Sequence, residues 1–195
     1  MKRLEWIQKF LGRPSSFVFV DVNPDFLLKS LDDADIKLKI ENFEEAKKLI
    51  LTNCTDDENI QQQAEILYGL IHAKYINTIE GMEKMLIKQK NKAFPHCPRV
   101  FCHKMTCVPY GITDELRDKT IKMFCPSCHE FYNVTDERIV KIDGAYFGPH
   151  WVDLLCQMHK ELEITNKPEY VPRIFGFRIY QPPSEESSEE KPPLD

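Results

Sequence analysis

Apolar residues recur at helical spacing through most of the N-terminal half of the chain. The longest stripe runs from Ile60 to Ile76 with apolar positions three, four and seven residues apart, as in a helix that packs against a core. Asn23 and Pro24 predict a helix start, because asparagine caps helices and proline suits the first helical position. Helices are predicted around residues 6–11, 24–31, 43–50, 60–76 and 82–86.

The pattern changes in the C-terminal half, where cysteine pairs and prolines replace the helical stripes. Short extended runs are predicted at 17–20, 99–101 and 120–124, and a helix returns at 147–161. Residues 170–180 resemble a strand, with Phe175 and Phe177 on one face because alternate side chains of a strand point the same way. The last fifteen residues are rich in proline, serine and glutamate, and this composition predicts disorder.

Composition narrows the class of protein. The chain has 195 residues, 42% of them hydrophobic, and a formal net charge of −5. An acidic chain is not typical of proteins that coat nucleic acid or an anionic membrane. No stretch is long and apolar enough to span a bilayer, and Glu5 interrupts any signal-peptide core. The seven cysteines are therefore interpreted as thiols of a reducing compartment.

Four of these cysteines have the spacing of a structural zinc site. Cys97 and Cys102 form one pair, and Cys125 and Cys128 form a second pair after a gap of 22 residues. Two such pairs can each present two sulfurs from a tight turn to one tetrahedral Zn²⁺. One structural zinc ion per chain is predicted, with these four cysteines as its ligands.

Other potential donors lie close to these pairs. Cys107 repeats the first spacing, but it lies in an alternating run and is interpreted as a buried small apolar residue. His96, His103 and His129 flank cysteines and are interpreted as supporting or exposed residues rather than ligands. Four thiolates close the zinc shell, so catalysis at the metal is not expected.

A zinc ribbon that binds nucleic acid is the alternative function. The region from 91 to 132 has only a small excess of positive charge, which is less than nucleic-acid ribbons usually carry. It has instead more apolar residues than a small ribbon can bury. Some of them are expected to pack on the helical part or on a partner.

Five sequence blocks together resemble one family, the casein kinase II regulatory (beta) subunit. They are LYGLIHAKY from 67 to 75, CPRVFC from 97 to 102, CPSC from 125 to 128, DGAYFG from 143 to 148 and VPRIFGF from 171 to 177. The chain contains no glycine-rich loop, H-R-D or D-F-G motif of a kinase catalytic subunit.

The resemblance implies an α+β fold that is mostly helical at its N-terminal end. It divides the chain into a helical body at 1–92, a zinc-ribbon dimerisation subdomain at 93–145, a C-terminal helix and docking segment at 146–180, and a disordered acidic tail at 181–195. It implies a non-catalytic regulatory and scaffold subunit of a Ser/Thr kinase, working in the cytoplasm and nucleus.

The same resemblance implies the partners and their contacts. Pro98, Val100 and Phe101 correspond to a homodimer surface, and Phe175 and Phe177 correspond to anchors for the catalytic alpha subunit. Two chains and two catalytic subunits would form a tetramer that stabilises the kinase and modulates its choice of protein substrates. Membrane partners are not expected, and nucleic acid is an unlikely partner.

The chain departs from the family pattern in three places. It lacks the family's N-terminal serines, its acidic stretch is reduced to residues 56–58, and position 175 is phenylalanine where the family usually has tyrosine. The C-terminal tail offers a substitute phosphorylation site. Ser187 has Glu190 three residues later, which is the context that casein kinase II favours, and phosphorylation of Ser187 would create the same context for Ser184.

Overall fold

The computed structural model describes residues 4–54, 57–102, 104–162 and 171–180. Seven α-helices occur in these ranges: α1 (Glu5–Leu11), α2 (Pro24–Ser30), α3 (Ala34–Leu38), α4 (Phe43–Thr52), α5 (Glu58–Ile76), α6 (Ile79–Lys90) and α7 (Trp151–Met158). The strands are β1 (Val108–Tyr110), β2 (Lys122–Cys125), β3 (Glu130–Asn133), β4 (Arg173–Ile174) and β5 (Phe177–Arg178). The predicted α+β class is confirmed. The predicted domain boundaries stay predictions.

Two small antiparallel sheets complete the fold. β1, β2 and β3 form a meander in that order, with Phe124 opposite Val108 on one side and Phe131 on the other. β4 and β5 form a separate hairpin. In the part of the chain that the structure describes, no helix combines the length and apolar character needed to cross a lipid bilayer.

The hydrophobic pattern predicted most helices but missed some local turns. Asn23 caps α2 as expected, since its side chain accepts a hydrogen bond of 2.9 Å from the backbone N–H of Asp25. The predicted extended runs at 17–20 and 99–101 are wrong in part, because Pro14–Val18 is a 3-10 helix and residues 100–101 form a turn. Helix α3 was missed because only five residues form it, too few for a clear stripe.

Helix α5 forms the centre of the core. Every residue from Ile66 to His72 is buried, so neighbours surround the helix on all sides there. Its polar side chains hold the extended segment that follows the 3-10 helix. The Tyr68 hydroxyl bridges the carbonyl of Val20 and the N–H of Val22 at 3.3 Å each. The central helix therefore fixes a strand-like segment that pairs with none of the described strands.

His72 is the most buried polar residue of this helix and has two backbone partners. Its Nε2 accepts a hydrogen bond of 3.1 Å from the N–H of Val20, and its Nδ1 lies 2.8 Å from the carbonyl oxygen of Tyr146. Nδ1 therefore carries the proton of a neutral ring. Burial lowers the pKa of His72 from 6.5 to about 4.

Two glycines allow the ribbon region to approach the helical body closely. A Cβ atom at Gly69 on α5 would lie 2.3 Å from the ring of Tyr146, and one at Gly111 would lie 2.0 Å from the carbonyl oxygen of Gly144. Trp151 adds a buried hydrogen bond of 3.2 Å from its Nε1 to the carbonyl of Pro109. The segment from 144 to 151 thus joins the ribbon to the core.

We expect the free energy of unfolding to fall between pH 6.5 and pH 4 because of His72. The unfolded chain binds a proton on this histidine below about pH 6.5, whereas the native chain resists protonation until about pH 4. The difference corresponds to about 3 kcal/mol lost across this range. Chemical denaturation at several pH values measures the effect.

His72→Gln provides the control, since glutamine keeps a donor and an acceptor but does not titrate in this range. The variant is expected to be less stable at pH 7 and to show a flatter decline towards pH 4. Acid loss of any bound metal affects both proteins equally. Parallel pH profiles for the two proteins would contradict the role of His72.

Candidate metal centre and interaction surfaces

Two backbone turns present the four predicted metal ligands. In the first turn, the N–H of Cys97 donates to the carbonyl of Met105 at 2.7 Å, and the N–H of Cys102 donates to the carbonyl of Arg99 at 3.0 Å. The second turn joins β2 to β3, where the N–H of His129 donates to the carbonyl of Cys125 at 2.9 Å. Backbone hydrogen bonds therefore close both turns around the cysteines.

The four sulfur atoms face one another across the two turns. The Sγ atoms of Cys97, Cys102, Cys125 and Cys128 all lie within 4.8 Å of each other. Cys97 and Cys128 are 3.8 Å apart, and Cys102 and Cys125 are 3.4 Å apart. Tetrahedral Zn²⁺ with Zn–S bonds of about 2.3 Å requires sulfurs about 3.8 Å apart. The arrangement fits a structural metal ion.

The protein surroundings disfavour most of these sulfurs as free thiolates. Burial raises the pKa of Cys97 to about 12, and the neighbouring Cys107 thiol and burial raise the pKa of Cys125. Cys128 differs. Burial also opposes its ionisation, but hydrogen bonds from the Tyr132 hydroxyl and the Glu130 backbone outweigh this and lower its pKa to about 7. A bound cation would compensate the four negative charges.

The other candidate donors that the structure describes lie outside this cluster. Cys107 is buried behind Cys125, as expected for a small apolar residue, and it is not among the four clustered sulfurs. The Nδ1 atom of His96 lies 3.4 Å from the Thr106 hydroxyl, and the ring of His129 packs near that of Phe124. His103 lies outside the described residues, as do Asp56, Ser184 and Ser187.

The first cysteine turn carries the predicted dimer residues on its outer side. Pro98 is exposed, and Val100 and Phe101 expose 86% and 38% of their surface. These residues lie between two clustered cysteines, so the same turn that presents sulfurs inward presents apolar groups outward. Large exposed apolar side chains that are held in place are typical of interaction surfaces.

The predicted docking residues lie on a hairpin instead of a single strand. Ile174 pairs with Phe177 across the hairpin, while Phe175 and Gly176 form its turn with φ angles of 49° and 87°. Two positive φ angles are the pattern of a type I′ turn. The expectation that Phe175 and Phe177 share one strand face is therefore wrong. Both side chains are nevertheless exposed, by 97% and 79%.

Comparisons with protein-family models and with individual known proteins agree with each other. A family model described as "Casein kinase II regulatory subunit" matches residues 5–178. The chain is 37% identical over 182 residues to "Casein kinase II subunit beta" of Schizosaccharomyces pombe, covering 90% of this chain and 79% of that protein. It is 33% identical over 188 residues to "Casein kinase II subunit beta'" of Saccharomyces cerevisiae, covering 90% and 72%.

A third relative, "Casein kinase II subunit beta" of Dictyostelium discoideum, is 33% identical over 186 residues, covering 91% of this chain and 69% of that protein. The family model and these relatives define the class of the protein as a regulatory subunit of a kinase rather than an enzyme. The chain belongs to the casein kinase II regulatory subunit family, which is not catalytic.

Sequence reasoning missed the residues that fix the ribbon to the body. Gly69 meets Tyr146 and Gly111 meets Gly144 there, and the importance of these residues depends on a close approach between segments distant in sequence. Asp143 contributes to the same junction. Its carboxylate accepts hydrogen bonds from the backbone N–H of Ala145 at 3.0 Å and from that of Arg117 at 2.6 Å. No local pattern predicts the second of these contacts.

Proposed function

We propose that this chain is a scaffold that holds one structural Zn²⁺, forms a homodimer through its ribbon and binds two catalytic alpha subunits of casein kinase II. In this role it stabilises the kinase and modulates its choice of protein substrates. The observation that carries the proposal is the exposure of Phe175, 97%, at the tip of a tight hairpin in a family of regulatory subunits.

The proposed zinc ion rests on the sulfur geometry. Four sulfurs within 4.8 Å match the soft, tetrahedral coordination that Zn²⁺ prefers. The metal would do no chemistry on a substrate, because four protein ligands leave no open position. It would instead lock the first cysteine turn, so that Val100 and Phe101 are presented in one fixed arrangement.

The proposed dimer surface is supported by the number of apolar side chains that a small ribbon leaves exposed. Val100, Phe101, Ile112 and Phe131 are exposed on or near a three-stranded sheet that is too small to cover them. Burying such side chains against a second copy would stabilise the complex by about 25 cal/mol per Å² of apolar surface. A two-fold contact uses the same patch from both chains.

The proposed docking hairpin is supported by the hydrogen bonds that close it and by its exposed rings. Arg173 donates a hydrogen bond of 3.1 Å from its Nη1 to the carbonyl of Gly176, and the N–H of Ile179 donates to the carbonyl of Pro172 at 3.1 Å. These contacts hold the turn closed while the rings of Phe175 and Phe177 point outward. Preorganised aromatic residues lose little entropy on binding and often act as interface anchors.

Reconstitution with the catalytic subunit tests the proposal. We expect the purified chain and a casein kinase II alpha subunit to elute together with the mass of a tetramer, and the alpha subunit to unfold at higher temperature in the mixture. A DNA duplex serves as the second arm of the experiment. Salt-dependent binding to DNA without association with the kinase would favour the nucleic-acid alternative.

We also propose that the assembled kinase phosphorylates the tail at Ser187 and then at Ser184. Ser187 has the acidic Glu190 three positions later. Ser184 would have the phosphate of Ser187 in the same relative position. Incubating the complex with ATP and mapping phosphate by mass spectrometry is expected to locate both sites. Ser187→Ala should remove the modification of both serines, and an unmodified tail in the wild-type chain would contradict the proposal.

The proposed compartments are the cytoplasm and the nucleus. All seven cysteines lie within the described ranges, and all are thiols. Free and metal-binding thiols are typical of proteins in reducing compartments.

A further inference from the structure

A cavity of about 440 Å³ lies away from the metal centre. The 3-10 helix Pro14–Val18 and helix α5 form one side of it, and the segments around Arg117 and 138–146 form the other. Backbone hydrogen bonds join these latter segments, since the N–H of Gly144 donates to the carbonyl of Lys119 at 2.8 Å. The cavity walls therefore belong to well-connected parts of the fold.

The lining of this cavity is positively charged although the whole chain is acidic. Four cations line it, Arg13, Arg117, Arg138 and Lys141, against two carboxylates. Of these carboxylates, Glu65 forms an ion pair with Arg13. Outside the lining, Asp136 pairs with Arg138 at 2.6 Å.

The remaining two cations of the cavity lack such a partner in the part of the chain that the structure describes. Within the described residues, the side chains of Arg117 and Lys141 form no ion pair. The carboxylate of Asp143 is occupied by two backbone N–H groups, those of Arg117 and Ala145. Two cations from separate segments, without an ion-pair partner in the described ranges, therefore converge on one cavity beside this carboxylate.

Arg117 is held there in an unfavourable backbone conformation. Its φ angle is 62°, in the left-handed region that glycine adopts easily and other residues adopt at a cost. The hydrogen bond of 2.6 Å from its N–H to Asp143 Oδ2 stabilises this conformation. A long cationic side chain at a position that suits glycine is consistent with a binding role for its guanidinium.

Ser16 supplies an independent observation at the same cavity. This residue lines the cavity and is 3% exposed, yet its buried hydroxyl is without a hydrogen-bond partner in the described ranges. Buried polar atoms are almost always paired, and an unpaired one calls for an explanation. A bound group with acceptor oxygens would provide the missing partner.

We propose that this cavity binds a phosphate monoester or free phosphate, with Arg117 and Lys141 as the main cationic contacts and Ser16 as a hydroxyl donor. Guanidinium groups match the oxygens of a phosphoryl group through paired hydrogen bonds, and lysine adds a point charge. Arg13 and Arg138, each already paired, contribute to the positive field around the opening.

Titration of the full-length, dephosphorylated chain tests this inference. One arm uses inorganic phosphate and the other uses a synthetic peptide of residues 181–195 with phosphoserine at 187, beside the unphosphorylated peptide. Binding is followed through the backbone amide resonances of residues 13, 15–19 and 117. We expect saturable shifts there, with the phosphopeptide binding about tenfold more tightly than the unphosphorylated peptide.

Three variants locate the site. Arg117→Gly removes the guanidinium and suits the positive φ, so the fold is retained while phosphate affinity falls about tenfold. Lys141→Gln is expected to weaken binding similarly. Lys29→Gln, on α2 outside the cavity lining, removes the same charge and should leave the affinity unchanged.

The two arms also distinguish the source of the phosphoryl group. A phosphopeptide that binds more tightly than inorganic phosphate would assign the site to phosphorylated protein, and equal or weaker binding would assign it to free phosphate. The proposal would be overturned if neither probe shifts these resonances, if the two peptides bind equally and inorganic phosphate does not bind, or if Lys29→Gln weakens binding as much as Arg117→Gly.

Discussion

Cys97→Ser is expected to abolish high-affinity metal binding and, with it, the dimer. Serine oxygen is a poor ligand for Zn²⁺ beside three thiolates, and structural zinc contributes about 10–16 kcal/mol to the folding of small zinc domains. Without the metal, the sulfurs that fix the two turns lose their common partner. Val100 and Phe101 then lose the fixed arrangement on which the proposed contact depends.

The measurement combines metal content by atomic absorption with mass by analytical ultracentrifugation. Cys125→Ser should behave like Cys97→Ser, because its Sγ lies 3.4 Å from that of Cys102 in the same cluster. Cys54→Ser is the matched control, since Cys54 is an exposed thiol outside the cluster. A metal-free variant that remains dimeric would show that the ribbon is not the dimer contact.

The variant Val100→Asp tests the proposed dimer surface independently of metal binding. Val100 exposes 86% of its surface, so the change should leave the fold and the metal intact. A carboxylate buried without a partner in the contact is strongly unfavourable, and the two-fold symmetry introduces it once from each chain. A monomer that keeps its zinc is the expected result, and an unchanged dimer would place the contact elsewhere.

The sequence predicted the parts of the fold that depend on local periodicity and spacing. The stripe from Ile60 to Ile76 lies within α5, and the two cysteine spacings identified the four clustered sulfurs. Both signals are contained in short segments whose geometry is set by the helix repeat or by a tight turn. Both signals can therefore be recognised without knowledge of the rest of the chain.

The parts that could not be predicted depend on contacts between distant segments. Ile66 and Leu70 lie outside the predicted apolar stripe, yet both are buried because the neighbours of α5 surround it. His72 pairs with Val20 and Tyr146, 52 and 74 residues away. The hairpin at Phe175 was taken for a strand because phenylalanine rarely adopts a positive φ, so only the following glycine gave a turn signal.

Replacing both hairpin phenylalanines with alanine is expected to leave the dimer intact and to weaken capture of the catalytic subunit by about 100-fold or more. The rings of Phe175 and Phe177 are almost wholly exposed in the free chain, so their removal costs little stability. Burying each ring in a partner would contribute about 1.5–3 kcal/mol, and each 1.4 kcal/mol is a factor of ten in affinity. Surface plasmon resonance with immobilised catalytic subunit measures the loss.

A second substitution at the tip distinguishes the contribution of the aromatic ring to binding from that of the turn's shape. Phe175→Asn creates an Asn-Gly pair, the preferred sequence for a turn with two positive φ angles, so the hairpin is at least as stable while the ring is lost. Ile79→Ala removes an apolar side chain with 67% exposure from α6 and serves as the control. If Phe175→Asn binds the catalytic subunit as weakly as Phe175→Ala, the aromatic ring is the anchor. Wild-type affinity in both variants would exclude an anchor role for this ring.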